Sequence, residues 1–354
     1  MSKFMSERFS KLIAYVPGEQ PRDFSYIKLN TNESPYPPAP AVFEALNAGE
    51  IANLRLYSDP ECGELKRTLA DYLGVGSENT FVGNGSDEIL SFAFMAFCDK
   101  NIPVSYPDIS YGFYSVYADL YGIEKNEIPL REDFSIAPED YFDLGTTIFI
   151  ANPNAPTGLC LSAGEIEDIV KANPDNVVVI DEAYVDFGGE SCVQLTKKYD
   201  NLLVIQTYSK SRSFAGGRLG FAVGCKPLIG DLEKLRYSTN PFNVDRLALA
   251  AGVAAINNQS YYDNNIFKII HNREYTTSEL RELGFEVLDS KANFLFASTA
   301  KLSGAELYAG LRERGILVRY FNRPRIDRFV RITIGTREQM DALISAVKEM
   351  LNNA

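Results

Sequence analysis

The chain has 354 residues, 45% of them hydrophobic, with a formal charge of −12 and a pI near 4.8. That length exceeds one typical domain and predicts one large and one smaller domain. The acidic balance excludes nucleic acid as a partner, since such binding neutralises phosphates with surplus Lys and Arg. No window approaches a membrane-spanning helix, and residues 1–21 carry charges throughout with no apolar core for a signal peptide, so the expected location is the cytoplasm, with no membrane partner. Cys62, Cys98, Cys160, Cys192 and Cys225 stand far apart without a C-x-x-C pair, and His271 is the single histidine. Neither a disulfide framework nor a metal site is expected, and His271, in a polar helical run, reads as structural.

In chain order, the first signal is the proline-rich stretch 34–40. Proline fixes φ and lacks a donor, so this stretch reads as part of an extended N-terminal arm, 1–40, either a connector or a segment crossing to a neighbouring subunit. Gly83, Gly85, Ser86, Asp87 and Glu88 then open an apolar helix at 89–97, which is either an ordinary capped turn or a phosphate-holding helix start. A strand at 104–106 precedes Tyr111 and Tyr114, candidates for packing against a ring. Continuous apolar runs at Thr147–Ala151, 177–180, 202–205 and 220–223 predict a sheet covered on both faces. Ile166, Ile169 and Val170 space helically between two of these runs, giving an α/β large domain over 41–245. From 246 the pattern changes to helices at 246–257 and 265–283, strands at 293–297 and 330–334 with a helix between, and a closing helix at 337–351. This predicts a smaller α+β domain, 246–354.

Chemistry concentrates around Thr207-Tyr208-Ser209-Lys210-Ser211 and Gly217-Arg218-Leu219-Gly220. A lysine beside hydroxyls and glycines, with an arginine eight residues on, suits an amine that bonds a carbonyl cofactor whose phosphate the neighbours hold. Pyridoxal 5′-phosphate is the cofactor expected, against the plainer alternative of a solvated loop lysine and a surface arginine. Asp181 ends the run 177–180, where ligands of parallel sheets sit; it is placed to pair a protonated ring nitrogen, although an acid there is also a common helix cap. Tyr184, three residues on, can donate to the ring hydroxyl, and Asn154 can add a second contact. Gly85, Ser86 and Asp87 with Thr207, Ser209 and Arg218 form the expected phosphate cup. Arg319, Arg323, Arg325, Arg328 and Arg331 fall within thirteen positions of an acidic protein. Arg331 interrupts an apolar strand, where an unpaired charge is expensive, so an anionic substrate group is its expected partner.

Taken together these residues resemble the fold-type I pyridoxal-phosphate-dependent aminotransferases, class II family. The likeness runs nearly end to end, through Asn30-Thr31-Asn32-Glu33-Ser34-Pro35, Tyr57-Ser58-Asp59-Pro60, Gly83 to Glu88, Asn152-Pro153-Asn154-Ala155-Pro156-Thr157-Gly158, Asp181 to Tyr184, Tyr208-Ser209-Lys210, Pro241-Phe242-Asn243-Val244, Ala292-Asn293-Phe294 and Arg331 to Gly335. Many relatives carry two asparagines before Pro-Thr-Gly; here the second is Ala155. The resemblance implies a mainly parallel central sheet flanked by helices, and a homodimer with shared active sites. It implies that Lys210 bonds the cofactor and moves the proton, with Asp181 and Tyr184 also catalytic. Tyr57 would reach into the partner's site, Arg331 would take the α-carboxylate of glutamate, and Arg319, Tyr15 and Asn32 would contact the rest of the substrate. The implied activity is a ping-pong transamination between L-histidinol phosphate or imidazole-acetol phosphate and glutamate or 2-oxoglutarate, all small anionic amino-acid or phosphorylated substrates. An aromatic or broad-specificity aminotransferase, or a decarboxylase of a phosphorylated amino acid, shares the same pattern.

Overall fold

The computed structural model describes residues 4–9, 12–21 and 25–352. The chain opens with β1 (Ile27–Lys28), α1 (Pro40–Ala45), α2 (Ala48–Ala52) and α3 (Gly63–Leu73). It continues through β2 (Thr80–Gly83), α4 (Gly85–Phe97), β3 (Val104–Pro107), α5 (Phe113–Tyr121), β4 (Lys125–Ile128), β5 (Thr147–Ala151), α6 (Ala163–Ala172), β6 (Val178–Asp181), β7 (Leu202–Thr207) and β8 (Gly220–Gly224). The last third holds α7 (Lys226–Thr239), α8 (Arg246–Ile256), α9 (Gln259–Glu282), β9 (Phe285–Val287), β10 (Phe294–Thr299), α10 (Gly304–Glu313), β11 (Ile316–Leu317), β12 (Arg319–Tyr320), β13 (Val330–Thr333) and α11 (Arg337–Asn352).

Seven strands form the large sheet in the order β2-β8-β7-β6-β5-β3-β4. Only β8 runs antiparallel to its neighbours, and the other pairings are parallel. Every residue of β5, β6, β7 and β8 is buried, as the continuous apolar runs require of a sheet with helices on both faces. Alternate residues divide between two cores. Ile148, Ile150, Val178, Ile180 and Val204 pack with Leu65, Leu69 and Ile166 on one side. Phe149, Val179, Leu203 and Ile205 meet Phe81, Phe94 and Tyr114 on the other. The crossover α6 starts on a reciprocal cap, Ser162 with Glu165, which satisfies two of its free N-terminal amides.

A second, four-stranded antiparallel sheet, β12-β13-β10-β9, packs with α9, α10 and α11 around Leu295, Ile332, Leu307, Leu343 and Val347. The proline-rich stretch is neither helix nor strand and bends at Pro35 and Tyr36, where Ser34 Oγ accepts from Tyr36 N, before Pro40 opens α1 at a position where a missing N–H costs nothing. The N-terminal segment is more than an arm, because β1 pairs in parallel with β11 and Leu29 joins the second core. α8 packs on the large sheet: Ala248, Ala251 and Ala255 share a core with Leu65 and Leu219. The long helix α9 serves both bodies, with Tyr262 in the first core and Ile266 and Ile269 in the second. Between them, Ile109, Leu130 and Phe134 from loops of the large sheet meet Phe296, Ile326 and Phe329. The carboxyl ends of the parallel strands open beside this seam.

Candidate active site

Lys210 stands in the loop just past β7. Thr207 shapes that loop: its Oγ1 accepts from Ser209 N at 3.1 Å and donates to Ser209 Oγ at 3.0 Å. Tyr208 is buried without residue, anchored by its own N–H to Leu219 O at 3.0 Å. The Lys210 Nζ therefore emerges from a fixed backbone and reaches Thr31 O at 3.3 Å, 5.8 Å from the Tyr184 ring centre. One strand over, Asp181 is the last residue of β6, in register with Ile205 of β7. Its carboxylate accepts from Tyr114 OH at 3.1 Å and from Ala183 N at 3.2 Å. Burial raises its pKa to about 6, against the lowering effect of those donors and of Lys210.

The expected phosphate cup is assembled by sheet register. Gly220 of β8 lies between Gly83 of β2 and Thr207 of β7, so the start of α4, the Lys210 loop and Arg218 share one end of the sheet. Gly85 opens α4 at φ +79°, and a Cβ there would sit 2.7 Å from Arg218 Nη2. A Cβ on Gly220 would sit 2.6 Å from Ser86 N. Glycine is required at both places to let an arginine and a strand approach the helix start. No side chain caps α4, so its first amides stay available to an anion. Asp87 steadies the arginine at 3.1 Å and accepts from Tyr111 OH at 2.7 Å. Amine, buried acid, hydroxyls, arginine and uncapped helix start fit pyridoxal phosphate.

The substrate side comes from the second sheet. Arg319 of β12 and Arg331 of β13 are register partners. Arg331 Nη2 donates to Asn30 O at 3.1 Å, while its buried Nε has no partner. Its guanidinium lies over Phe294 and Phe321, and burial lowers its pKa; Tyr184, Tyr15 and Tyr111 oppose that shift. Arg319 donates to Val16 O and Pro17 O, at 3.0 and 3.1 Å. Tyr15 stacks on Phe113 with ring centres 4.2 Å apart and feels both arginines.

Several expected contacts fall differently. Tyr114 is fully buried behind Asp181, and its hydroxyl donates to that carboxylate, which gives it an orienting role. Asn32, at φ 56°, directs its amide N–H to Tyr184 OH at 2.9 Å and accepts from Thr333 Oγ1 at 3.0 Å, so it supports Tyr184. Asn154 is engaged inside its own neighbourhood, donating to Ile109 O and Thr157 Oγ1 and accepting from Ser110 Oγ. Tyr57 is 79% exposed and stacks on Phe242, apart from the other site residues. Three of the five clustered arginines hold structure: Arg323 and Arg325 bind the Asp108 loop, and Arg328 pairs with Glu286. His271 is exposed on α9. Thr31 escaped sequence reasoning, because it meets Lys210 through a backbone carbonyl, which leaves no side-chain signature.

An amine that can bond an aldehyde faces a buried acid and a phosphate-sized cradle at the carboxyl ends of one parallel sheet, and pyridoxal-phosphate enzymes of fold type I are built on that arrangement. Comparison with known proteins narrows the class. The model of aminotransferase class I and II matches residues 25–347, and the chain belongs to that family of pyridoxal-phosphate-dependent transferases. It is 50% identical over 354 residues, the whole of both chains, to the histidinol-phosphate aminotransferase of Brachyspira hyodysenteriae. It is 48% identical over 351 residues to that of Clostridium acetobutylicum, covering 99% of this chain and 100% of the other. The crystal structure of histidinol-phosphate aminotransferase from Sinorhizobium meliloti, in complex with pyridoxal-5′-phosphate, matches with a TM-score of 0.89 at 24% identity, over 99% of this chain and 100% of that one. L-threonine-O-3-phosphate decarboxylase from Porphyromonas gingivalis matches at 0.80 with 24% identity, over 92% and 99%. The last two likenesses carry the fold and leave the substrate open. Among the described residues no helix is long and apolar enough to cross a membrane, and no cluster of metal-binding side chains occurs.

Proposed function

We propose that this aminotransferase exchanges an amino group between L-histidinol phosphate and 2-oxoglutarate, forming imidazole-acetol phosphate and glutamate, in the cytoplasmic synthesis of histidine. The substrate is taken from the full-length relatives. Within the structure the reading is carried by Arg331, a cation with an unpartnered buried Nε, next to Arg319: one site must take a dicarboxylate and a phosphate ester in turn.

When bound, pyridoxal phosphate supplies an aldehyde and an electron-withdrawing ring that stabilises the negative charge left as the Cα proton departs. The chain's residues do the rest. Lys210 would bond the cofactor, and its free Nζ would move the proton from Cα. Asp181, held by Tyr114, would keep the ring nitrogen protonated, and Tyr184, held by Asn32, would donate to the ring hydroxyl. Amides of Gly85, Ser86 and Asp87, the hydroxyls of Thr207 and Ser209, and Arg218 would hold the phosphate, and Tyr111 would pack against the ring. Arg331 takes the α-carboxylate of glutamate through its two-pronged guanidinium, flanked by Arg319 and Tyr15. The exposed Tyr57, stacked on Phe242, belongs to a homodimer in which each chain completes its partner's site. The large-sheet body, which also takes in α8, and the second body, which also takes in β1 and Leu29, frame the site.

The deciding experiment is Lys210→Ala. Purified enzyme is expected to show the visible band of a lysine-linked cofactor, and the variant to lose both that band and turnover of histidinol phosphate with 2-oxoglutarate. Turnover that survives the substitution overturns the mechanism. Carbon dioxide release from a phosphorylated amino acid, without keto-acid formation, would replace the substrate assignment by the decarboxylase reading.

A further inference from the structure

The loop carrying Asp181 and Tyr184 and the loop carrying Lys210 belong to adjacent strands. Backbone pairing between them ends where Glu182 N donates to Ile205 O at 2.8 Å. Beyond that point a second tie appears. Asp186, two residues past Tyr184, accepts from the hydroxyl of Ser211 and lies 3.2 Å from Arg212 Nη1, and these two residues directly follow Lys210. Arg212 is only 1% exposed, although it carries a full charge. Its guanidinium is sandwiched near the rings of Tyr208 at 5.4 Å and Tyr72 of α3 at 5.6 Å, and Nη1 also approaches Ser211 Oγ at 3.4 Å.

A cation taken this far from water persists where its partner is fixed, because removing the partly exposed Asp186 would leave the buried Arg212 charge uncompensated. The fold bears that cost between the two loops whose spacing sets the reach of the Lys210 amine toward the site. The Asp186 backbone is braced independently, since Phe187 O accepts from Arg273 Nη1 at 2.8 Å. Asp186 thus offers a stationary anion to which the Lys210 loop is pinned. The side chains of Lys210 and Arg212 are two positions apart, so moving one moves the backbone of the other.

We propose that Asp186, Ser211 and Arg212 are positioning residues that hold the Lys210 amine in line with the ring-binding loop, so that it attacks the cofactor aldehyde. The step is carbonyl condensation: the lone pair of the neutral Nζ amine forms the C–N bond, its two protons pass to the aldehyde oxygen, which leaves as water, and a C=N bond replaces C=O. No redox partner is involved. This rests on Lys210 being the cofactor-bonding amine, and the test separates the two ideas.

Apo-enzyme would be mixed with pyridoxal phosphate, trapped with borohydride at intervals, and the modified peptide quantified by mass spectrometry. In parallel, affinity for pyridoxine 5′-phosphate, which has ring and phosphate but no aldehyde, would be measured on the same preparations. Asp186→Asn and Arg212→Gln are expected to slow attachment at Lys210 by about tenfold or more, while pyridoxine 5′-phosphate affinity stays within about threefold. Arg212→Lys should restore part of the rate by returning the charge without the fork. Ser211→Ala, which keeps the ion pair, should slow attachment by a few-fold and serves if the charge variants do not fold. Attachment as fast as in the unaltered enzyme, per folded molecule, overturns the proposal, and so does a loss of both quantities in proportion. Trapping at another residue in the unaltered enzyme overturns instead the assignment of Lys210.

Discussion

Replacing Arg331 by alanine tests the substrate assignment through a contrast between activity and stability. Among the described residues the guanidinium makes one hydrogen bond, to Asn30 O at 3.1 Å, its buried Nε has none, and no carboxylate pairs with it. A substrate carboxylate would accept two parallel charge-assisted bonds, each contributing about 1.5–3 kcal/mol. Allowing for desolvation of both ions, their loss corresponds to roughly 3–5 kcal/mol, or about 10²- to 10⁴-fold in kcat/KM for glutamate. The contact forms with the bound substrate and persists through reaction, so most of the loss should appear in KM. Stability should scarcely move. The lost bond to Asn30 costs about 1 kcal/mol, offset by relief of a poorly solvated cation, and in a chain of this size that shifts Tm by only about 1–2 °C. Arg331→Lys keeps the charge without the fork and should fall between. Steady-state kinetics with varied glutamate, beside melting curves of the same preparations, decide it. A kcat/KM within threefold of the parent refutes the reasoning, as does a large activity loss matched by a fall in Tm.

Two further outcomes follow from groups near the site. Glu182 is fully buried and accepts from Cys192 N, Ser191 Oγ and Gln206 Nε2 at 2.6, 2.7 and 2.7 Å, yet burial still lifts its pKa to about 7. Its folded pKa lies above the unfolded one, so the stability it contributes is fully present below about pH 4.5 and is lost as pH rises through about 7. The parent should therefore lose up to about 2–3 kcal/mol relative to Glu182→Gln between pH 5 and pH 8, and parallel melting curves across that range would dismiss this account. Tyr57→Ala and Lys210→Ala are each expected to be nearly inactive as homodimers. Refolded together, they should regain about a quarter of parental activity, because half of the dimers are hybrids with one intact site, whereas no regain would remove Tyr57 from the partner's site.

Much of this was legible because the signals were local. Apolar runs without alternation fixed the large sheet and its double cover, and Asp181 and Lys210 could be placed at strand ends from those runs alone. Gly85 and Gly220 stand where close backbone approach demands glycine. The parts that were not legible join residues far apart in sequence. Asn32 reads as a substrate contact until its amide is found on Tyr184, 152 positions away, and Tyr114 reads as a ring-stacking aromatic until its hydroxyl is found on Asp181, 67 positions away. Asn154 lies in a loop whose second asparagine is Ala155, and its own amide satisfies the backbone of the Asp108–Ser110 turn region. Residue type gives the donor in each case but not the acceptor, and the acceptor decides whether a polar side chain serves ligand or scaffold.

The buried arginines show how that distinction can be drawn from geometry. Arg236 is 1% exposed, pairs with Glu233 at 2.5 Å and donates to Pro60 O and Pro241 O. Arg212 is as deeply buried and has Asp186. Arg273 has no acid but donates to two carbonyls, Phe187 O at 2.8 Å and Ala292 O at 2.7 Å, and so stitches the Tyr184 turn to the start of β10. In each of these the scaffold supplies a carboxylate or two carbonyls, although Arg212, like Arg331, has a buried Nε without a partner among the described residues. Arg331 has a single carbonyl at the long end of the hydrogen-bond range, an unpartnered Nε, and a pKa that burial pushes down. A fold gains nothing in stability by holding a cation in that state, since a leucine or methionine would pack against Phe294 and Phe321 without the desolvation penalty. What the arrangement does provide is a guanidinium partly shielded from water, with its Nε buried, and aimed, so that an arriving carboxylate meets a charge part of whose reorganisation has been completed in folding.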